Sequence, residues 1–385
     1  MGEKPLKIYI IAGEASGDRL GADAMRQIKS EFGSETEFYG IAGPLMQAEG
    51  MQSLFPMEEL SIMGVFEIVP RLIHILKRIQ QTILNIEEIN PDAILTIDAP
   101  DFSFRVQKGI KTRNHIQAKQ LHYVAPTVWA WRPKRAQKVA SFLDGMLCLF
   151  PFEPEYFEKE GLKAAFVGHP VVNSGLLEAD GNVYREAAGI TQSEKTLGVF
   201  LGSRRGEIKR HGAILSEALR LMQRDNPRLK LHVITPTLPH LKDQVFQTLK
   251  TYDGALHVSS DPDMKWHAFK ACDTAIAVSG TIGLELAIAG VPHLIAYKMN
   301  ALTAALAKRM VTVKYAHLAN IMMDEAIIPE FIQENCKPDI IADMAQNLLS
   351  DNALRAEQKQ QLSAIQSEVT PPAEGTISGF IKGIL

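Results

Sequence analysis

The chain has 385 residues, 46% apolar and 22% charged, which is ordinary globular usage and enough for about two domains. A net charge of −3 gives no global basic field, so nucleic acid is not expected as a partner. Cys148, Cys272 and Cys336 are scattered, with no C-x-x-C pair and no histidine at metal spacing, and read as reduced thiols of a cytosolic protein without a structural metal.

A short N-terminus leads directly into an apolar strand at 6–12, so no signal peptide is expected. The strand runs into Gly13-Glu14-Ala15-Ser16-Gly17-Asp18 and an amphipathic helix over 19–32. Further strands are expected at 37–41, ending in Ala42-Gly43-Pro44, and at 93–97, ending in Asp98-Ala99-Pro100-Asp101-Phe102. Three more lie at 120–124, 145–149 and 164–167, closed by Ala125-Pro126, Pro151 and Gly168-His169-Pro170. Helix-length segments separate them and the breakers fall after the strands. This is the alternation of a doubly wound parallel sheet, whose ligands lie at the carboxyl ends of its strands.

The pattern lapses after a first domain of 1–172, and Asn173, Gly175, Asp180, Gly181 and Asn182 suggest a linker over 173–194. Alternation restarts with strands at 196–201, 229–235, 255–258, 274–278 and 293–297, giving a second domain of 195–337. The segment 338–385 reads as helical until Pro371-Pro372, bracing the N-terminal domain or, in a homodimer, a partner subunit. The expected fold class is α/β, two Rossmann-like doubly wound domains facing across a cleft. No stretch approaches the roughly 20 apolar residues needed to span a bilayer.

Two turns in the second domain carry chemistry. Ser279-Gly280-Thr281-Ile282-Gly283-Leu284-Glu285 joins a buried-type strand to a helix-forming run. The first amides of such a helix lack chain partners, small residues let an anion approach, and the dipole favours negative charge. A diphosphate fits that description, and Glu285 can accept bonds from ribose hydroxyls; a helix merely capped by Ser279 or Thr281 fits it too. Gly202-Ser203-Arg204-Arg205-Gly206-Glu207 repeats the arrangement with a guanidinium beside it. Arg204 suits bidentate contact with phosphate, although a solvated arginine pair is the alternative.

Several stretches together resemble bacterial lipid-A-disaccharide synthase, an inverting glycosyltransferase of GT-B type. They are Gly13-Glu14-Ala15-Ser16-Gly17-Asp18, Asp98-Ala99-Pro100-Asp101-Phe102, Tyr123-Val124-Ala125-Pro126-Thr127-Val128-Trp129-Ala130-Trp131-Arg132, Phe150-Pro151-Phe152-Glu153, Val167-Gly168-His169-Pro170, Gly202-Ser203-Arg204 and Ser279-Gly280-Thr281. The resemblance covers nearly the whole chain. Leu201, Ala125 and Ser103 stand where the family pattern has Pro, Ser and Asn. It implies transfer of 2,3-diacylglucosamine from UDP to the 6-hydroxyl of 2,3-diacylglucosamine 1-phosphate, with inversion, at the cytoplasmic face of the inner membrane. No cofactor is implied.

Inverting transfer needs a base for the acceptor hydroxyl and a grip on the departing diphosphate. Asp98, at the end of a buried-type strand, is the expected base; Glu14 holds the analogous place after the first strand. Asp101 reads as the N-cap of the helix through 113. Ser203, Arg204, Ser279, Gly280 and Thr281 are expected on UDP with Glu285 on its ribose. Ser16 joins the substrate set, and the resemblance adds Asn320 as a donor contact. Asp261-Pro262-Asp263 looks like a metal-binding D-x-D but reads better as the start of the helix over 264–270, so no metal is expected.

From 69 to 86 apolar residues fill about half of a helical wheel, with Arg71, His74, Lys77 and Arg78 on the other half. One reading places this helix in the membrane interface, with Leu72, Ile75, Leu76 and Arg78 touching lipid. The other is a core helix under a sheet. Two further function classes share the diphosphate loops: a UDP-N-acetylglucosamine 2-epimerase, which needs no acceptor, and a non-enzymatic peripheral protein binding nucleotide sugar.

Overall fold

Lys7–Ala12 (β1) is a run of apolar residues that is buried almost throughout, as a central parallel strand with covered faces must be. The computed structural model describes residues 4–60, 68–113, 115–278, 280–300, 304 and 310–385, with the backbone alone described over 68–72. The chain divides into one unit of Met1–Pro170 with Pro371–Leu385 and another of Val171–Thr370.

In the first unit β1 is followed by α1 (Ala15–Phe32), β2 (Glu37–Ile41), α2 (Pro44–Ala48), α3 (Ile68–Ile89), β3 (Ala93–Ile97) and α4 (Pro100–Lys111). Then come β4 (Lys119–Tyr123), α5 (Lys134–Ala140), β5 (Gly145–Cys148), α6 (Pro154–Glu158) and β6 (Lys163–Phe166). The six strands are parallel in the order β2-β1-β3-β4-β5-β6. Its core is built from the strands' alternate faces and helix stripes such as Leu20, Ala24, Met25 and Ile28 of α1. The order reverses between β1 and β3, so a crevice opens at the carboxyl ends of those two strands.

The second unit contains α7 (Gly181–Ala187), β7 (Lys195–Phe200), α8 (Arg205–Asp225), β8 (Leu231–Pro236), α9 (Lys242–Leu249), β9 (Ala255–Ser259) and α10 (Lys265–Lys270). It continues through β10 (Thr274–Ala277), α11 (Thr281–Ile288), β11 (His293–Tyr297), α12 (Leu318–Met323), β12 (Glu330–Ile332), α13 (Pro338–Ser350) and α14 (Asn352–Val369). All its strands are parallel, in the order β12-β11-β10-β7-β8-β9, and the reversal falls between β7 and β10.

Four expectations are corrected. The segment read as a linker belongs to the second unit and carries α7: Asp180 caps it by accepting from the Asn182 amide, Tyr184 is buried, and Arg185 bonds Thr196 Oγ1 at 2.8 Å and Asp273 at 3.2 Å. Its Asn, Asp and Gly residues are helix-cap chemistry. The C-terminal segment is split: α13 and α14 pack in the second unit, while α15 (Ile377–Lys382) lies in the first. There Gln27 accepts from the Ile377 amide at 3.1 Å and Lys382 pairs with Glu31 at 2.6 Å. Asp101 is not the cap of α4, because Pro100 already occupies the first helical position and Ala99 is the N-cap. Asp261 accepts from the Asp263 amide at 3.0 Å in a local turn, and α10 begins beyond it with Met264 as N-cap. Strand β12, three residues long, was not expected; no period can be read from so short a run.

Candidate active site

At the first unit's crevice Ala12 pairs with Ile97, so the loops after β1 and β3 run side by side. A Cβ on Gly13 would lie 2.6 Å from the Cβ of Ala99, and only a glycine admits so close an approach. Asp98 and Ala99 are consecutive left-handed residues, with φ of 51° and 43°, and Val124 after β4 has φ of 78°. Such backbone costs about 1–3 kcal/mol per residue and concentrates where geometry serves function, most clearly for a β-branched residue. The Asp98 amide donates to Tyr123 O at 3.0 Å, and its carboxylate is partly exposed. Glu14, the N-cap of α1, makes no side-chain cap, and both it and Ser16 in the first turn are exposed. Asp18 from the same loop is buried and accepts from the amides of Gly43, Leu45 and Met46 at 2.9–3.0 Å, fixing the start of α2.

Beside this crevice the aromatic loop after β4 is pinned from beneath. Glu153 is buried and accepts from Trp129 Nε1 at 3.1 Å and from the amides of Leu149 and Phe150 at 3.0 and 3.1 Å. Burial outweighs those bonds and pushes its carboxyl up to about 7. Phe150 stacks between Phe152 and His169, while Trp131 is partly exposed with the Arg132 guanidinium 4.2 Å from its ring. Neither Glu153 nor the role of Trp129 as its donor was legible, since a lone Glu after Phe-Pro-Phe gives no sign of facing inward.

At the second unit's crevice the Val278 amide donates to Phe200 O at 3.0 Å, bringing the turns after β7 and β10 together. Gly202 and Gly280 take φ of 100° and 131°, which favour glycine. Arg204 is the exposed N-cap of α8, and among the described residues its guanidinium makes no ion pair. The Ser203 amide is taken by Glu207 Oε2 at 3.0 Å, leaving the exposed hydroxyl for any ligand. Gly280 is the N-cap of α11 with no side-chain cap, and Thr281 is exposed beside it. Ser279 lies outside the described residues.

Behind that turn the helix is wedged in place. A side chain on Gly283 would collide with the His317 ring, whose Nε2 lies 3.1 Å from His293 Nε2. His293 Nδ1 donates to Val291 O, and His317 Nδ1 accepts from the Ala319 amide, so a neutral pair satisfies every bond. Burial drives His293 down to about 4 and His317 well below its ordinary value.

Four expected contacts are corrected or qualified. Asn320 is fully buried: Nδ2 donates to Ile328 O and Glu330 Oε1 at 2.8 and 2.9 Å, and Oδ1 accepts from the Ile328 amide at 2.9 Å. It holds the chain around α12 and its side chain has no face for a donor. Ile75 is a core residue, aligned with Ile79, Ile83 and Ile86 in one buried stripe of α3. Arg78 is not a free cation for headgroups, because it bonds both oxygens of Glu59 and lies 4.5 Å from the Phe55 ring. Leu76 is exposed, as are Ile73 and Leu84; the Leu72 side chain lies outside the described residues. Glu285 is partly buried and accepts from Lys265 Nζ at 3.1 Å, a partner that sequence reasoning missed. Among the described residues no three His, Cys, Asp or Glu side chains cluster as metal ligands, and no helix is long and apolar enough to cross a membrane.

Two parallel six-stranded sheets, each with a crevice at its reversal point, make a fold of GT-B type. Solved structures with this fold include a UDP-GlcNAc 2-epimerase from Neisseria meningitidis bound to UDP-GlcNAc, with TM-score 0.61 and 11% identity over 98% of each chain. MurG from Acinetobacter baumannii matches with TM-score 0.61 and 14% identity over 98% of this chain and 100% of its own. The family described as Lipid-A-disaccharide synthetase matches residues 8–373. A lipid-A-disaccharide synthase of Rhodospirillum centenum is 42% identical, covering 99% of this chain and 96% of its own, and one of Paramagnetospirillum magneticum is 44% identical over 91% and 89%. The chain belongs to the lipid-A-disaccharide synthase family and is a glycosyltransferase of lipid A biosynthesis.

Proposed function

We propose that the enzyme transfers 2,3-diacylglucosamine from UDP to the 6-hydroxyl of 2,3-diacylglucosamine 1-phosphate, with inversion, at the cytoplasmic face of the inner membrane. Asp98 takes the hydroxyl proton as the oxygen attacks the anomeric carbon. The bond from that carbon to the β-phosphate oxygen breaks, and UDP leaves with the electron pair. Glu14, across the Gly13–Ala99 contact, is the second carboxylate available there, and Ser16 is a substrate contact beside it. Arg204, the hydroxyls of Ser203, Ser279 and Thr281, and the Gly280 turn hold the diphosphate, with Glu285 on the ribose in exchange for its bond to Lys265.

The observation that carries this reading is the position of Asp98: partly exposed, at the carboxyl end of β3, at the reversal point, on a backbone held left-handed. An epimerase reading gives Asp98 no acceptor to deprotonate. Leu76, Ile73 and Leu84 form the lipid-facing edge of α3. No metal takes part.

The test is UDP release from acylated UDP-glucosamine with and without acylated glucosamine 1-phosphate, in EDTA. Release is expected only with acceptor, unaffected by the chelator, and lost in Asp98→Ala while donor binding persists. Normal turnover by Asp98→Ala would remove the base assignment, and activity restored only by magnesium would remove the metal-free one.

A further inference from the structure

We propose that Ser103 is the positioning residue for Asp98, an inference that rests on the reading of Asp98 as the base. Ser103 is the fourth residue of α4 and fully buried. Its amide makes the ordinary helical bond to Ala99 O at 3.0 Å. Its hydroxyl reaches one residue further back, outside the helix, and donates to Asp98 O at 2.8 Å. The other backbone group of Asp98 is tied to the neighbouring strand through Tyr123 O at 3.0 Å.

Asp98 is thus fixed from both sides, by β4 through its amide and by α4 through its carbonyl. Between the ties its backbone is held at φ 51°, in a region that non-glycine residues avoid. The dihedrals of that residue set the direction of its carboxylate. Without the Ser103 hydroxyl the Asp98 carbonyl loses its side-chain donor, and the turn is free to relax. Gly13 leaves room for the turn. Ser103 does not touch substrate; it acts through Asp98.

In the full-length enzyme, Ser103→Ala should lower kcat about 10- to 100-fold, the scale of a misplacement near 1 Å, with KM for both acylated substrates within about twofold. Ser103→Thr, which keeps the hydroxyl, should recover most of kcat. Ser103→Cys, nearly isosteric but a weak donor, should resemble the alanine variant. In an Asp98→Asn background, Ser103→Ala should cost nothing further, because the group it orients is no longer a base. Full kcat in Ser103→Ala or Ser103→Cys, or an equal loss in both backgrounds, would overturn the proposal and leave the base assignment standing. Full turnover by Asp98→Asn alone would instead remove the base, and this inference with it.

Discussion

At the scale of single residues, the clearest departures from ordinary chemistry are histidines kept neutral by buried or half-buried surroundings. Burial brings His122 to about 3 and His169 and His293 to about 4, with His317 lowered as well. Unfolded histidines protonate near pH 6.5 while these stay neutral, so the unfolded chain binds more protons and stability falls as pH drops from 6.5 towards 4. The slope is about 1.4 kcal/mol per pH unit for each such histidine. Glu153 has the opposite sign: held near 7, it contributes stability below its unfolded value of about 4.5 that is lost as pH rises through 7. One carboxyl against four histidines leaves a net loss in acid. Denaturant midpoints should therefore fall between pH 6.5 and 4.5, and His293→Gln should flatten that fall; a midpoint flat across this range would contradict the account. These histidines were not legible, because a histidine in an apolar run looks the same whether it is neutral and paired or free. The place of Asp98 was legible for the opposite reason: a residue directly after a parallel strand stands at the sheet's carboxyl edge. Asn320 misled, since an amide satisfied by its own backbone and one offered to a ligand look alike in sequence.

At the scale of elements, α3 shows how a wheel can be right about amphipathicity and ambiguous about its cause. Half the circle is apolar, yet it divides between two neighbours. Ile75, Ile79, Ile83 and Ile86 face the core, where Gly109 of α4 leaves no room beside Ile83 for a side chain. Ile73, Leu76 and Leu84 are 57%, 48% and 52% exposed, and these are the residues a membrane surface would cover. The double substitution Leu76→Ser and Leu84→Ser should leave the unfolding midpoint almost unchanged and weaken sedimentation with anionic phospholipid vesicles. Ile83→Ala should cost about 2–5 kcal/mol of stability. If the serine pair destabilises as much as Ile83→Ala, the exposed edge is core and the lipid-facing reading fails. The short elements, α7 and β12, escaped the sequence for a shared reason: caps and turns dominate their composition, and neither is long enough to show a period.

At the scale of the whole molecule, alternating strands and breakers were enough to announce two parallel sheets; the reversal points between β1 and β3 and between β7 and β10 come from the strand orders. What they could not reveal is where the chain changes unit. The second unit begins at Val171, and the chain returns to the first at Pro371, where Ile377 and Ile381 fill a face of α1. The central claim is that UDP is held at the reversal point of the second sheet by the turns after β7 and β10. A crystal structure with UDP bound tests it most directly. The account predicts the β-phosphate within hydrogen-bonding distance of the Arg204 guanidinium and of the Gly280–Thr281 turn; a nucleotide seated at the β9 edge or the β12 edge of that sheet would contradict it.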